Sequence, residues 1–213
     1  MVSEFFMYMA DSAMVGRLGT GHLAAIGFAT LFAEVLWVII WPFAPGTEAL
    51  SSRRFGRLEA LKSQDTSHYP VLQQNIGEVL DNSMILSFSV GLVTIFLASY
   101  STEILGVLLD DSELITLADA YIGIIKWVMP MAAVFFSLYG LLAAIKMTRI
   151  IMVATVIVNV LNIGFNYVLI FGKFGVPALG IEGAAIGTVS AQSLGAVFLL
   201  AYVVFSRKLR GYR

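Results

Sequence analysis

The segment IIMVATVIVNVLNIGFNYVLIFG, Ile150 to Gly172, contains no Asp, Glu, Lys or Arg. At helical rise it is long enough to cross hydrocarbon, which takes roughly 20 apolar residues. A backbone exposed to lipid must satisfy its own hydrogen bonds, and this run has the length of a helix, not of a strand, so it reads as a membrane helix. Three more stretches share the property: Ser83 to Thr102, Trp127 to Ile145 and Gly183 to Ser206. The whole chain follows suit. Of its 213 residues, 59% are hydrophobic and 13% charged, with a mean hydropathy of +0.87, where a soluble domain carries about 25% charged residues. A soluble helical core would need polar faces repeating at helical period, and these segments have none. The fold class is therefore all-α membrane protein, a bundle of six transmembrane helices.

The helices are expected at about 2–17, 23–50, 79–100, 118–145, 150–171 and 184–206, as a single transmembrane lobe over residues 1–213. The apolar part of the first, Val2 to Val15, is short for a span, since fourteen helical residues cover only about 21 Å. Pro42 and Pro45 remove backbone donors and should kink the second. Gly172, followed by Lys173, Gly175 and Pro177, closes the fifth. Ser51 to Gly77 reads as the longest polar loop, and Ser101 to Asp119 as an acidic one.

All but three of the 13 basic residues follow the second, fourth and sixth helices: Arg53, Arg54, Arg57 and Lys62; Lys146 and Arg149; Arg207, Lys208, Arg210 and Arg213. Arg17 and Lys173 lie at the opposite ends, and Lys126 falls inside a helix. The positive-inside rule places the basic ends in the cytoplasm, so the chain is expected in the cell (inner) membrane as a multi-pass protein. The short basic clusters form no long stripe, which argues against a nucleic-acid partner. Cysteine is absent, excluding disulfides and thiolate metal sites. There is no Ser/His/Asp constellation, no phosphate-binding loop and no paired intramembrane histidine, so an enzyme is not expected, nor a cofactor or resident metal. A transporter fits better.

Ionisable groups at bilayer depth cost about 2.5 to 3.5 kcal/mol on insertion scales, and each is a functional candidate. Asp11, Glu34, Glu48 and Lys126 qualify. Asp11 sits among Tyr8, Met9, Ala10 and Met14, as a proton or cation site or as an aspartate at a frayed helix end. Thr155, Asn159, Asn162 and Asn166 stack on one face of the fifth helix. They serve either as glue between helices or as a polar lining that ligates an ion or water beside Asp11. Glu34 and Glu48 are about four turns apart and should share a face of the second helix, Glu34 as a cavity or secondary polar residue. Lys126 is placed to snorkel toward the acidic loop.

The run Ala10-Asp11-Ser12-Ala13-Met14-Val15-Gly16-Arg17-Leu18-Gly19, with Leu23-Ala24-Ala25-Ile26-Gly27 after it, resembles the end of the first helix of the multidrug and toxic compound extrusion (MATE) transporters. Gly46-Thr47-Glu48-Ala49-Leu50 leading to Arg53-Arg54-Phe55-Gly56 is similar to that family's exit from helix two, and Leu161-Asn162-Ile163 with Asn166-Tyr167 to its helix five. Most specific is Phe171-Gly172-Lys173-Phe174-Gly175-Val176-Pro177-Ala178-Leu179-Gly180, followed by Gly183-Ala184-Ala185-Ile186-Gly187-Thr188. The resemblance covers nearly the whole chain.

It implies one lobe of a twelve-helix antiporter, the amino-terminal one, with its first helix truncated and a second six-helix lobe missing. The function it implies is cation- or proton-coupled efflux of organic cations or other amphipathic compounds by alternating access. Membrane lipid and an amphipathic small molecule are the implied partners. The family's coupling residues map onto Asp11, Asn162, Asn166 and Thr188. Some branches carry a second aspartate where this chain has Asn166; a lone carboxylate holds a monovalent cation less strongly, which tilts the expectation to H+ over Na+, with Na+ at the same residues as the alternative. Two other readings stand beside this one. A lipid-linked sugar flippase of the wider superfamily would line its cavity with basic residues, and only Lys126 is intramembrane and basic. A non-transporting half-length partner or truncated remnant would bind no cationic dye.

The charge asymmetry makes a topological prediction. With no native cysteine, a single cysteine introduced at Ser206 should react with impermeant maleimide only from the cytoplasmic side, and one at Lys173 only from outside. The reverse pattern would invert the topology.

Overall fold

The computed structural model describes residues 2–61 and 69–212. Its helices are α1 (Val2–Val15), α2 (Thr20–Ile40), α3 (Phe43–Leu61), α4 (Tyr69–Ala98), α5 (Ser101–Leu108), α6 (Ser112–Ile125), α7 (Met129–Ala144), α8 (Thr148–Phe171) and α9 (Gly180–Phe205). Short 3-10 turns occupy Gly16–Leu18, Lys126–Val128 and Arg207–Tyr212. The pair α2–α3 forms one broken span and α6–α7 another, so that five spans are long and apolar enough to cross a membrane, beside the 14-residue α1.

Spans begin earlier or end later than apolarity alone suggested. The second starts at Thr20 and continues to Leu61, and the third starts at Tyr69, so much of the expected Ser51–Gly77 loop is helix. A helix keeps its hydrogen bonds internal, and Arg, Leu, Glu and Ala after Ser52 are good helix formers, so α3 carries on where lipid stops. The expected acidic loop Ser101–Asp119 likewise contains α5 and the first turns of α6. Asp111 fixes the start of α6, its carboxylate accepting from the amides of Glu113 at 3.0 Å and Leu114 at 3.2 Å. Lys62, His68 and Arg213 lie outside the described residues.

The second span breaks at Trp41–Pro42. The helix restarts with the Ala44 amide on the Trp41 carbonyl (3.1 Å) and that of Gly46 on Pro42 (2.9 Å). Pro45 stands in the first turn of α3, where a missing donor leaves no gap in the ladder. At the far end of α8, Gly172 adopts φ +65°, and a Cβ there would lie 2.6 Å from the Ala178 amide nitrogen, so this turn admits only glycine.

The span Ser112–Ala144 is the pillar of the bundle. Of its most apolar window 72% is buried, against 28–33% in the other four spans. Helix α2 packs on α6, α3 and α4 pack on α7, and α9 packs on both halves; α8 lies against α9, with α1 against α8 and α2. Each surrounding helix turns one stripe inward at helical spacing, for example Ala25, Ala29, Ala33, Leu36 and Ile40 on α2. The outward faces carry exposed Leu31, Val35, Val38, Ile85, Phe96 and Met152, a surface suited to hydrocarbon.

Close approach of α3 to the pillar depends on Gly140, where an added Cβ would lie 2.8 Å from Thr47 Cβ and 3.0 Å from the Glu48 amide nitrogen. Gly140→Ala should cost about 1–3 kcal/mol through overpacking and lower the thermal midpoint measured by circular dichroism in detergent. Gly164→Ala, with open space around the new methyl, should leave the midpoint unchanged or raise it slightly. Equal midpoints for the two variants would contradict the packing described.

Candidate functional site

The inward stripe of α8 runs Ile151, Ala154, Val158, Asn162, Asn166, Ile170, so the spacing that seals the helix against α9 also carries two amides into the interior. On α9 the equivalent stripe includes Ala184, Thr188 and Ala191. Helix α1 lies along both and brings Asp11 to the same point. All four polar side chains are withdrawn from the surface: Asp11 retains 2% exposure, Thr188 4%, and Asn162 and Asn166 none.

Asn166 Nδ2 donates to Asp11 Oδ1 at 2.5 Å, across 155 residues of sequence, and reaches Asn162 Oδ1 at 3.3 Å. Thr188 Oγ1 donates to Asp11 Oδ2 at 3.3 Å and accepts from Asn162 Nδ2 at 3.0 Å. The four residues thus close a ring of hydrogen bonds around one carboxyl group, with a donor on each of its oxygens. Asn166 Oδ1 is buried with no hydrogen-bond partner among the described residues. It sits where a Cβ on Gly187 would be, so only glycine at 187 leaves space for that oxygen. A buried acceptor without a donor is costly unless it has work to do, and beside a carboxyl group it is placed to take a proton-bearing or cationic guest.

Tyr121, from the pillar, completes the site. It is 2% exposed and lies beside Thr188 and Asp11, with its phenol facing the ring. Sequence reasoning missed it, because a tyrosine in an apolar helix reads as core. The available signal was that a buried phenol needs a polar partner.

Other candidates fall elsewhere. Asn159 turns its amide back to the Thr155 carbonyl at 2.8 Å and stands half-buried outside the ring. Glu34 is exposed on α2, and Glu48 is half-buried on α3. The break at Trp41–Pro42 lies between these two, and they differ in burial. Lys126 Nζ donates to Ser99 Oγ at 3.3 Å, at the far end of α4. A second polar cluster, unanticipated, joins three helices lower on the pillar: Thr47 and Ser83 hydroxyls at 2.5 Å, Ser83 to Ser137 at 2.9 Å, and Ser137 to Ser87 at 3.0 Å.

Comparison with known proteins agrees with this architecture. The MatE family matches residues 1–66 and 73–168. A probable multidrug resistance protein NorM of Agrobacterium fabrum is 26% identical over 211 residues, covering 99% of this chain and 43% of the relative. Its counterpart in Photorhabdus laumondii is 26% identical over 212 residues, covering 100% and 44%. The chain therefore spans less than half the length of these relatives. Among solved structures, the eukaryotic MATE transporter AtDTX14 superposes with a TM-score of 0.85 at 21% identity, covering 99% of this chain and 44% of that one. The outward-facing conformation of a multidrug resistance MATE family transporter gives 0.82 at 20% identity, covering 97% and 42%. With the family matched over most of its residues and its spans arranged as a MATE lobe, this multi-pass membrane chain belongs to the MatE family and corresponds to its amino-terminal lobe.

Proposed function

We propose that the chain is the amino-terminal half of a multidrug efflux antiporter in which the Asp11 ring couples transport to an ion gradient. The observation that carries this reading is a carboxyl group buried to 2% exposure yet met by a donor on each oxygen. Burial favours the neutral acid, and hydrogen-bond donors favour the carboxylate. A group held between those two demands can bind and release a positive charge at small cost, which is what a coupling site requires. Asn166 serves both states: its amide nitrogen suits the carboxylate, and its unpartnered oxygen, after rotation of the amide, suits the protonated acid.

The coupling ion we favour is H+. The ring contains one carboxylate, Asp11, met by the amides of Asn162 and Asn166 and the hydroxyl of Thr188, so a single negative charge is available to hold a cation. A lone carboxylate holds a monovalent metal cation less strongly than a pair would, whereas one carboxylate suffices for a proton. Substrates would be organic cations or other amphipathic compounds, carried in a cavity completed by a second six-helix lobe. The NorM relatives, more than twice as long as the matched region, support that need for a second half.

The test is gradient-driven dye efflux from energised vesicles containing this chain within a complete two-lobed transporter, with expression checked in parallel. Asp11→Asn should abolish efflux, a loss of about tenfold at the least if the site supplies one charged hydrogen bond or more, while leaving membrane insertion and dye binding intact. An imposed pH gradient should drive wild-type efflux without sodium. Wild-type rates from Asp11→Asn would remove Asp11 from the mechanism, and a strict sodium requirement would replace the proton.

A further inference from the structure

Away from the Asp11 ring, two cavities meet between α3 and α4. The larger, about 700 Å³, is a groove lined chiefly by apolar side chains such as Ile39, Phe43, Leu50, Val79 and Leu86. The smaller, about 270 Å³, is lined by Arg54, Arg57, Leu72, Asn75 and Glu78. Arg54 and Glu78 line both, so the polar chamber opens into the apolar groove. The chamber lies at the basic end of the bundle, where α3 leaves hydrocarbon. From Arg54 to Ile39 the groove follows the α3–α2 span for about 22 Å at helical rise, more than the half-thickness of a bilayer core that is about 30 Å across.

From this arrangement we propose a built phospholipid site: one acyl chain in the groove, and a headgroup bearing both a phosphate and an ammonium in the chamber, as in phosphatidylethanolamine. Arg54 and Arg57 supply the cations for the phosphate, and Glu78 the anion for the ammonium. Arg54 is already oriented toward α4, its guanidinium donating to the Asn75 carbonyl at the mouth of the groove. The groove floor asks nothing of an occupant, because Thr47 and Ser83 hydrogen-bond each other, and Ser83 continues to Ser137. The charged partners, Arg54 and Glu78, stand at the chamber end of the groove, and a hydrocarbon chain along the rest needs none. Leu50 and Leu86 at the rim are more than half exposed, and a resident chain would cover them continuously where loosely ordered lipid would not.

Gly46 gives the means of testing this. It lines the groove and has nothing from the neighbouring helices within 4 Å of a built Cβ, so Gly46→Leu has space to extend into the channel and improves helix propensity. The full chain should be purified in mild detergent from a membrane containing phosphatidylethanolamine and phosphatidylglycerol, and its retained lipid counted by native mass spectrometry. Wild type should retain about one phospholipid per chain, enriched in phosphatidylethanolamine. Gly46→Leu should retain about tenfold less, the effect of overfilling a packed site. Glu78→Gln should lose the preference for phosphatidylethanolamine, and Arg54→Gln should lower retention of both lipids. Full retention by Gly46→Leu, no headgroup preference in wild type, or a lipid-free mass of two chains that reverts to one in Gly46→Leu would overturn the proposal, the last by showing a second copy in the groove. Should Gly46→Leu not survive purification, the headgroup selectivity of Glu78→Gln decides alone.

Discussion

Hydrocarbon offers no hydrogen bonds, so each polar group that this chain carries into the membrane must be met by another part of the chain. That constraint explains why the polar side chains of the described lobe gather instead of scattering. Asp11, Asn162, Asn166 and Thr188 come from three helices and hydrogen-bond one another in a ring that leaves one acceptor, Asn166 Oδ1, open, and Thr47, Ser83, Ser87 and Ser137 bond one another from three more. The apolar stripes bring the helices together, but the polar clusters fix their axial register, since sliding one helix by a turn would leave a donor or acceptor in lipid.

The two clusters differ in kind. Both touch the Ser112–Ala144 pillar, at Tyr121 and Ser137, on the order of 24 Å apart at helical rise. The hydroxyl ladder is neutral, and its members also lean on their own helices, Ser137 toward the Ala133 carbonyl at 3.3 Å and Ser87 toward that of Met84 at 3.1 Å. Such hydroxyls are already content, and they act as spacers between tightly packed helices. The Asp11 ring contains a group whose charge can change, and an acceptor left open.

What the sequence disclosed follows from this difference. Asn162 and Asn166 could be read because amides stand out in a charge-free helix and their spacing fixes a face; Asp11 stood out for the same reason. Thr188 and the lobe assignment came from resemblance, since one threonine in an apolar helix carries no signal of its own. Tyr121 and the hydroxyl ladder escaped because tyrosine, serine and threonine are tolerated singly in membrane helices, and only tertiary contact shows what they meet. Helix ends at Leu61, Tyr69 and Ser112 were misjudged because hydropathy marks the edge of lipid, while a helix stops where its ladder is interrupted. Asn159 shares the spacing of its neighbours yet bonds to Thr155 on its own helix, a choice that periodicity cannot reveal.

The bond between Asn166 and Asp11 joins positions 155 residues apart, and that separation also measures time. A ribosome adds about 5–20 residues per second, so on the order of ten seconds pass between synthesis of the aspartate and of its partner. Through that interval the carboxyl group has none of its final donors and must wait as a protonated acid or near the water interface. Synthesis of α8 and α9 supplies those donors, so the ring can close only when the last two helices are in place, and it acts as a latch on the assembled lobe.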